Sequence, residues 1–543
     1  MIRRARRVLV LGALVLGVAG LAGSSAFAAG EEIVVETSQF NPAVPQQWID
    51  YSVATTQAAW LLNAATCLKL LDYDEETGAL EPEAATAMPT VSADGKTYTF
   101  TVRDDFVLSP PSNERVTAET FKFVIDRNLN PELQSPAGSF VSDIVGAQAV
   151  LDGKAKSASG VTVDGNKLTI RLTKPAPDFM SRIAMWFFCA IPRDTPVDPQ
   201  KEKPVPTAGP YYVASWEPNR RLIVKRNPNY KGERPANVDE IRYTASVEQT
   251  TSVLQIQNGE VDYAADGIPP TQNCELGRKF GPDSQAAKDG KQQFFVNPAL
   301  TFQYLGLNTQ RPTFADPDVR KAVAYAIDRK GLLALSGCFA GEPTDQYLPF
   351  NLPAFKDADI YPLDEPDIEK ARELMGGKTG KAVMYTFNQS PGPERAQLVQ
   401  ANLERIGIDV TIRQFPRQVQ FTKQATRGEP FDIADEGWIA DYPDPYDFIN
   451  KLLDGRTILP SNNVNISYFN DPKYNRKMDA AQAKTGDERN EAYAALDEDI
   501  ARNAAPLVAW SVMNWIDFVS ARVGCYLYHP VYTMDLAALC IRK

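Results

Sequence analysis

Near residue 300 the chain changes its repeat. Upstream, short stretches of alternating apolar residues follow turn dipeptides; downstream, strand-like and helix-like stretches take turns. In the first region "KTYTFTV" puts Tyr98, Phe100 and Val102 on one face, and "KLTIRL" does the same with Leu168, Ile170 and Leu172. Asp94-Gly95 and Asp164-Gly165 precede them as hairpin turns. Between the two strands "VTAETFKFVIDRNLN" predicts a helix, with Thr117 as N-cap and Glu119 in the first turn, where an acid meets the positive end of the helix. This part reads as a small α+β unit.

Beyond residue 300, "DPDVRKAVAYAIDRKGLL" predicts one helix with Val319, Val323 and Ile327 on a single face. "KAVMYTF" is a strand, "PERAQLVQANLERIG" a helix and "IDVTIRQF" a strand, and "FDIADEGW" leads into the stretch that begins at Gly437. Strand, helix, strand is the signature of an α/β lobe with some parallel pairing. "DERNEAYAALDEDIARNA" is again helical. Between the two regions, "PVPTAGPYYVASW" breaks the chain before the alternating "RLIVKRN" and the amphipathic "TTSVLQIQNGEVDY". With 543 residues the chain exceeds one hydrophobic core and predicts two or three lobes.

The N-terminus has a different purpose. Four arginines, an apolar run from Val8 and Ala26-Phe27-Ala28 form the three regions of a secretory leader, cleaved after Ala28. A retained anchor is the alternative, although the apolar run is short for a spanning helix. No cysteine near the cleavage site offers a lipid attachment point. Losing the leader removes four arginines and no acids, so the net charge moves from −11 to −15. A chain this acidic repels phosphates, which argues against nucleic acid as a partner. Six cysteines, Cys67, Cys189, Cys274, Cys338, Cys525 and Cys540, predict disulfides in an exported protein. Cys525 with Cys540, which enclose a short C-terminal segment, is the first expected pair.

Several chemistries are missing from the sequence. His529 is the lone histidine. A Ser-His-Asp or Cys-His group would have to use it, and its place in "CYLYHPVY" suits a structural role better. "GGKTGK" from Gly376 fails as a phosphate loop, because Arg372 stands where the first glycine belongs. "DYDEETGALEPE" has acids at calcium-loop spacing, but Thr77 occupies the place that needs glycine, so a turn between two strands is the better reading. No metal and no cofactor is expected. A hydrolase built on paired carboxylates stays open as an alternative, although nothing picks out the pair.

"GWIADYPDPYDF", Gly437 to Phe448, concentrates aromatics and acids. Pro443 and Pro445 predict a loop there, and loops on a rigid scaffold carry binding residues.

Six stretches in order resemble the extracytoplasmic solute-binding proteins of peptide and nickel ABC importers, solute-binding protein family 5. They are "VSADGKTYTFTVRDDFVLS" with "VTAETFKFVIDR", "TAGPYYVASWEPNRRLIVKRNPNY", "VLQIQNGEVDY", "LGLNTQRPTFADPDVRKAVAYAIDRKGLL" and "GWIADYPDP". The resemblance spans about residues 90 to 450, extended by the last helix and "APLVAW". It implies an α/β, two-lobed periplasmic-binding-protein fold (cluster C type) with an additional α+β domain. Domain I would comprise 29–78, 205–295 and 505–543, domain II 79–204 and domain III 296–504, after a signal peptide 1–28. The ligand would lie between lobes I and III, closed by a hinge. By the family's pattern Asp441 would pair with a peptide's α-ammonium group and Trp438 would wall a pocket, with Tyr442 beside them. Asp444 and Asp447 themselves read as acids that solvate a turn. Gly209 and Pro210 read as hinge or turn residues, and Asn308 as structural. Arg413 and Arg417 are basic groups on or after a lobe III strand, unplaced relative to the cleft. The implied protein is a non-enzymatic, monomeric importer component in the periplasm or secreted, delivering peptides or another small solute to an ABC permease and ATPase. Oligosaccharides, metal chelates, other amines and a sensor role stay open.

Overall fold

A single twelve-residue strand, Leu507–Phe518, ties the molecule together. Its first half pairs antiparallel with Thr301–Leu307, and its second half with Phe294–Pro298. This is a computed structural model that describes residues 31–37, 49–54, 56–74, 78–197, 203–218, 220–245, 248–529 and 531–543. The leader and the segment 38–48 lie outside the described residues.

Around that strand a seven-stranded mixed sheet forms in the order Phe294–Pro298, Leu507–Phe518, Thr301–Leu307, Ile433–Ile439, Gly380–Phe387, Ile408–Phe415, with Gly341–Pro343 added against Leu507–Phe518. Gly380–Phe387 runs parallel to Ile408–Phe415, and the Gly392–Glu404 helix makes the crossover. The predicted strand–helix–strand unit is therefore present. Its helix buries Ala396, Val399 and Leu403 against the sheet, at the spacing an apolar stripe requires.

A second sheet of five strands has Glu32–Thr37 between Tyr263–Ala264 and Glu240–Ala245, followed by Arg221–Arg226 and Tyr211–Glu217. Its core of Ile33, Val35, Tyr211, Leu222 and Tyr243 is separate from that of the larger sheet. Phe294 and Phe518, at the far ends of the paired connecting strands, pack with Val34, Ile256 and Leu276 of this lobe. Two adjacent strands thus pass from one lobe to the other, the arrangement about which hinged lobes rotate.

A four-stranded antiparallel sheet carries the Ala118–Leu129 helix. Tyr98, Phe100, Leu168 and Ile170 are buried on the predicted face. Gly95 and Gly165 take φ of 66° and 58°, the left-handed region the turns demand. Thr117 caps the helix in a reciprocal box with Thr120.

Two expectations change. The long helix from Pro317 is two: Pro317–Ala326 and Arg329–Ala334. Asp328 stops the first by capping the second, accepting the Gly331 N–H at 2.8 Å. The predicted loop after Gly437 is in fact the end of strand Ile433–Ile439, a short turn, and the start of helix Pro445–Leu453. Pro445 holds the first helical position, where no N–H is needed, and Asp444 is the N-cap.

Three disulfides join Cys67 to Cys189, Cys274 to Cys338, and Cys525 to Cys540, the last being the pair expected first. His529 is buried and accepts the Val531 and Tyr532 N–H groups at Nδ1, 3.1 and 3.0 Å away. Gly209 is pressed so close to Thr66 that a Cβ would lie 2.3 Å from its carbonyl oxygen. Asn308 is buried and donates to the Phe431 carbonyl. Leu71–Tyr73 and Leu80–Pro82 pair across the acidic segment, as the turn reading expects. No described helix is long and apolar enough to cross a membrane.

Candidate functional site

Strand Ile433–Ile439 is paired along its whole length on one side, from Leu307 opposite Ile433 to Thr301 opposite Ile439. On the other side Gly380–Phe387 meets it at Ile433 and Ala434 alone. Beyond Ala434 the two parallel strands part. Such a split at the carboxyl ends of parallel strands is where α/β sheets open a crevice.

The hydrogen-bonding parity tells which groups face it. Asn308 N–H donates to the Asp432 carbonyl and Ala440 N–H to the Leu300 carbonyl. In an antiparallel pair such residues alternate. Even-numbered positions thus bond inward to Thr301–Leu307, while Asp435, Gly437 and Ile439 turn their N–H and C=O groups to the open edge. Gln420 already occupies the Asp435 carbonyl, at 2.9 Å. Gly437, whose N–H also faces the Glu436 carboxylate, and Ile439 remain as the backbone face of the crevice.

A carboxylate cluster lies at the C-terminal end of this edge. Asp447, fully buried on the Pro445–Leu453 helix, accepts the Trp438 indole N–H at 3.1 Å and the Asp441 backbone N–H at 2.8 Å through one oxygen. That fixes both residues. The Asp441 carboxylate is about a quarter exposed, and Lys451 Nζ stands 3.9 Å from it. Among the described residues no N–H donates to that carboxylate. Burial, then the neighbouring Asp441 charge, push the Asp447 carboxyl well above its usual range. Burial raises Asp441 as well, with Lys451 opposing. Two carboxylates share one ammonium, so when both are ionised the cluster is one positive charge short.

The predicted site residues do not share one environment. Trp438 is half-buried, braced by Asp447. Tyr442 is buried, and its hydroxyl donates to Asp178 Oδ2 at 2.9 Å, with the Phe140 ring edge-on at 6.2 Å. It grips the α+β domain and presents no surface to a crevice. Asp444 does not solvate a turn: it is buried in a two-pronged pair with Arg489, at 2.7 and 2.8 Å. Asp447 likewise is no solvent group. Both corrections have one cause: helix Pro445–Leu453 packs its first turn inward, and Asp444-Pro445 was the sequence signal for its start. Lys451, one turn after Asp447, then falls beside the cluster.

At the opposite end of the edge are Asp435 and Glu436, both buried. Burial pushes Glu436 up to about 8, against the pull of Arg417. Arg413 is exposed on Ile408–Phe415.

These features belong to a known architecture. The profile described as bacterial extracellular solute-binding proteins, family 5, middle, matches residues 79–458. The periplasmic oligopeptide-binding protein OppA of Escherichia coli K12 is 24% identical over 446 residues, covering 78% of this chain and 77% of its own. The periplasmic murein peptide-binding protein MppA of the same organism is 26% identical over 452 residues, covering 80% and 79%. Among solved structures, the clavulanic acid biosynthesis oligopeptide binding protein 2 superimposes with a TM-score of 0.82 at 22% identity, over 95% of this chain and 96% of that one. The chain belongs to the bacterial extracellular solute-binding proteins, family 5.

Proposed function

We propose that this protein captures short peptides between its two lobes as the extracytoplasmic binding component of an ABC importer, and hands them to a membrane permease driven by an ATPase. It acts by binding and not by catalysis. One observation carries the reading: an unpaired strand edge that runs directly into the partly exposed Asp441 carboxylate, which shares the Lys451 ammonium with the buried Asp447. An extended peptide can add as a strand to Gly437 and Ile439, gaining backbone hydrogen bonds that ignore side-chain identity. Its α-ammonium group then meets Asp441, where a dehydrated cation needs an opposite charge and a charge-assisted hydrogen bond. Trp438 supplies an apolar wall and an aromatic face beside that cation. Tyr442 serves the same loop from behind, by fixing it to the α+β domain.

The lobes we assign are 29–78, 205–295 and 505–543 for domain I, 79–204 for domain II and 296–504 for domain III. The separate core of the five-stranded sheet and the paired connecting strands support that division. The protein is proposed to be monomeric and, after loss of its leader, periplasmic or secreted. Names of relatives such as the periplasmic oligopeptide-binding protein support both ligand and place.

The test is calorimetric titration of the mature protein with a mixed tri- to pentapeptide pool, beside the same pool acetylated at its N-termini. Binding of the free-amine pool alone is the expected result. Binding of neither pool would overturn the peptide reading.

A further inference from the structure

One disulfide crosses from lobe to lobe. Cys274 lies on helix Pro270–Phe280, whose Leu276 packs with Val34, Ile256, Phe294 and Phe518 in the lobe of the five-stranded sheet. Cys338 follows helix Arg329–Ala334, whose Leu332 belongs to the core of the seven-stranded lobe. The two cysteines are bonded, with their Cα atoms 5.1 Å apart. The other two bridges are local: Cys67 and Cys189 share one core, and Cys525 and Cys540 close a short segment.

The loop that carries Cys338 is shaped for this contact. Gly337 takes φ of 86°, and a Cβ there would lie 2.6 Å from the Pro270 carbonyl oxygen. Phe339 takes φ of 65°, a left-handed backbone that costs a bulky residue on the order of 1–3 kcal/mol. Its ring fills the place of a side chain at Gly277, where a Cβ would lie 2.3 Å from the ring, and it meets Phe294 edge-on at 5.6 Å. Such a conformation persists where its surroundings over-determine it. From the seven-stranded lobe, Arg395 donates to the Ser336 hydroxyl at 2.6 Å. Asn514 donates its side-chain amide to the Phe339 carbonyl at 3.0 Å and its backbone N–H to the Ala340 carbonyl at 2.9 Å. Asn514 belongs to the long connecting strand, opposite Pro298. That strand is therefore held by one lobe up to Asn514 and by the other from Ile516 onward, where Ile516 and Phe518 join the core around Leu276. Bending between the lobes falls at this point, beside the bridge.

We propose that the Cys274–Cys338 bridge is a covalent limit on the hinge: it bounds the swing between the lobes, so that the empty protein samples a narrow range of openings and loses less freedom on closing. The affinity consequence rests on the peptide reading above; the limit itself rests on the two-lobed fold alone.

Geometry sets the range. The bridge lies one packed layer from the connecting strands, a lever of roughly 10 Å. Disulfides accept Cα separations up to about 6.8 Å, so from 5.1 Å the tie can lengthen by roughly 1.7 Å. Over that lever the slack allows a rotation of about 10°. A wider swing has to break the bridge. Restricting the open ensemble lowers the ordering cost of binding, which is how a cross-link raises affinity without adding a contact to the ligand.

The experiment is small-angle X-ray scattering from the mature protein and from Cys274→Ser/Cys338→Ser, each empty and saturated with the mixed tri- to pentapeptide pool. Without the bridge the empty form should show a larger radius of gyration and a broader distance distribution, while the two saturated forms coincide. Calorimetric titration should show the variant binding the pool about three- to tenfold more weakly, as when the closure-competent fraction falls by that factor. Urea unfolding of each protein identifies a folding defect, and Cys274→Val/Cys338→Ala, which refills the site with apolar groups, keeps the comparison valid if the serine form is unstable. Identical scattering of the empty forms with and without the bridge would overturn the limit. A wider empty form with unchanged or tighter binding would overturn its link to affinity. The empty-state comparison needs no ligand, so a pool that fails to bind would overturn the peptide reading while the scattering still decides the hinge.

Discussion

Replacing Asp441 by Asn removes one charge and nothing else of size. The backbone N–H of residue 441 still reaches Asp447, and Trp438 keeps its own bond to the same oxygen. What is lost is the partner of the incoming ammonium. Severing one side of a desolvated, hydrogen-bonded ion pair costs about 2–5 kcal/mol. Asp441 is about a quarter exposed, which places it at the lower end. A loss of about 2–3 kcal/mol is expected, a ~30- to 150-fold weaker complex. The pH profile adds a sharper criterion. Burial raises the Asp441 carboxyl above its usual range. Only the ionised form holds an ammonium, so affinity should fall as pH drops through that raised value. At the other extreme a peptide α-amine loses its proton near 7.7–8.0 (approximately), and affinity should fall again. Calorimetric titration from pH 4.5 to 9 should thus give a bell for the unaltered protein. In the Asn variant the acidic limb attributable to Asp441 should vanish. Stability should not fall, since Asp447 loses its like-charged neighbour and keeps Lys451. Affinity within threefold of the unaltered protein, together with a surviving acidic limb, would refute the assignment.

His529 gives a stability prediction with a definite sign. Burial pushes its imidazole down to about 3, whereas in the unfolded chain it titrates near its ordinary ~6.5. Below that pH the unfolded state binds the extra proton, so stability falls by about 1.4 kcal/mol per unit until the folded value is reached. His529→Asn keeps an acceptor for the Val531 and Tyr532 N–H groups, and urea unfolding at pH 6.5 and 4.5 should show it spared a loss of about 2 kcal/mol. Tyr442→Phe should cost about 1–3 kcal/mol by stripping a buried bond from Asp178, with peptide affinity unchanged; weaker binding at unchanged stability would return Tyr442 to the ligand surface. Removing Cys274 and Cys338 together as alanines should lower unfolding free energy by about 4 kcal/mol, because that bridge closes a loop with a sequence separation of 64 residues. An unchanged urea midpoint would contradict it.

The parts of the fold that were legible in the sequence are those whose cause is local. Tyr98, Phe100, Leu168 and Ile170 alternate because one sheet face is buried, and Thr117 caps because the next three N–H groups need acceptors. Element boundaries are less legible, because one residue type acts oppositely on the two sides of a boundary. Pro445 forbids a helix interior, yet at the first position it favours a helix. The apolar stripe through Val319, Val323 and Ile327 suggests one continuous helix, whereas the Asp328 side chain ends one helix by starting another. The acids were harder still. Asp435, Glu436 and Asp447 look like solvated residues of a polar stretch, yet all three are buried. Their charge partners Arg395, Arg417 and Lys451 come from three different helices. Asp435 and Glu436 meet partners from distant helices, and Asp447 sits one turn before Lys451 on a helix that the two prolines hide from a local reading.

The same burial explains why an importer component would keep so costly a group. Burial favours the protonated form of both Asp441 and Asp447, in Asp447 with the Asp441 charge adding to it, and Lys451 opposes the shift in each. An arriving ammonium favours the ionised form of Asp441, so part of the cost of burying that carboxylate is recovered on binding. A ligand that binds the folded state alone also raises its stability by mass action. Peptide capture should therefore release protons, and the heat measured in two buffers of different ionisation enthalpy should differ below neutrality and converge in Asp441→Asn. Equal proton release in that variant would place the titrating group elsewhere.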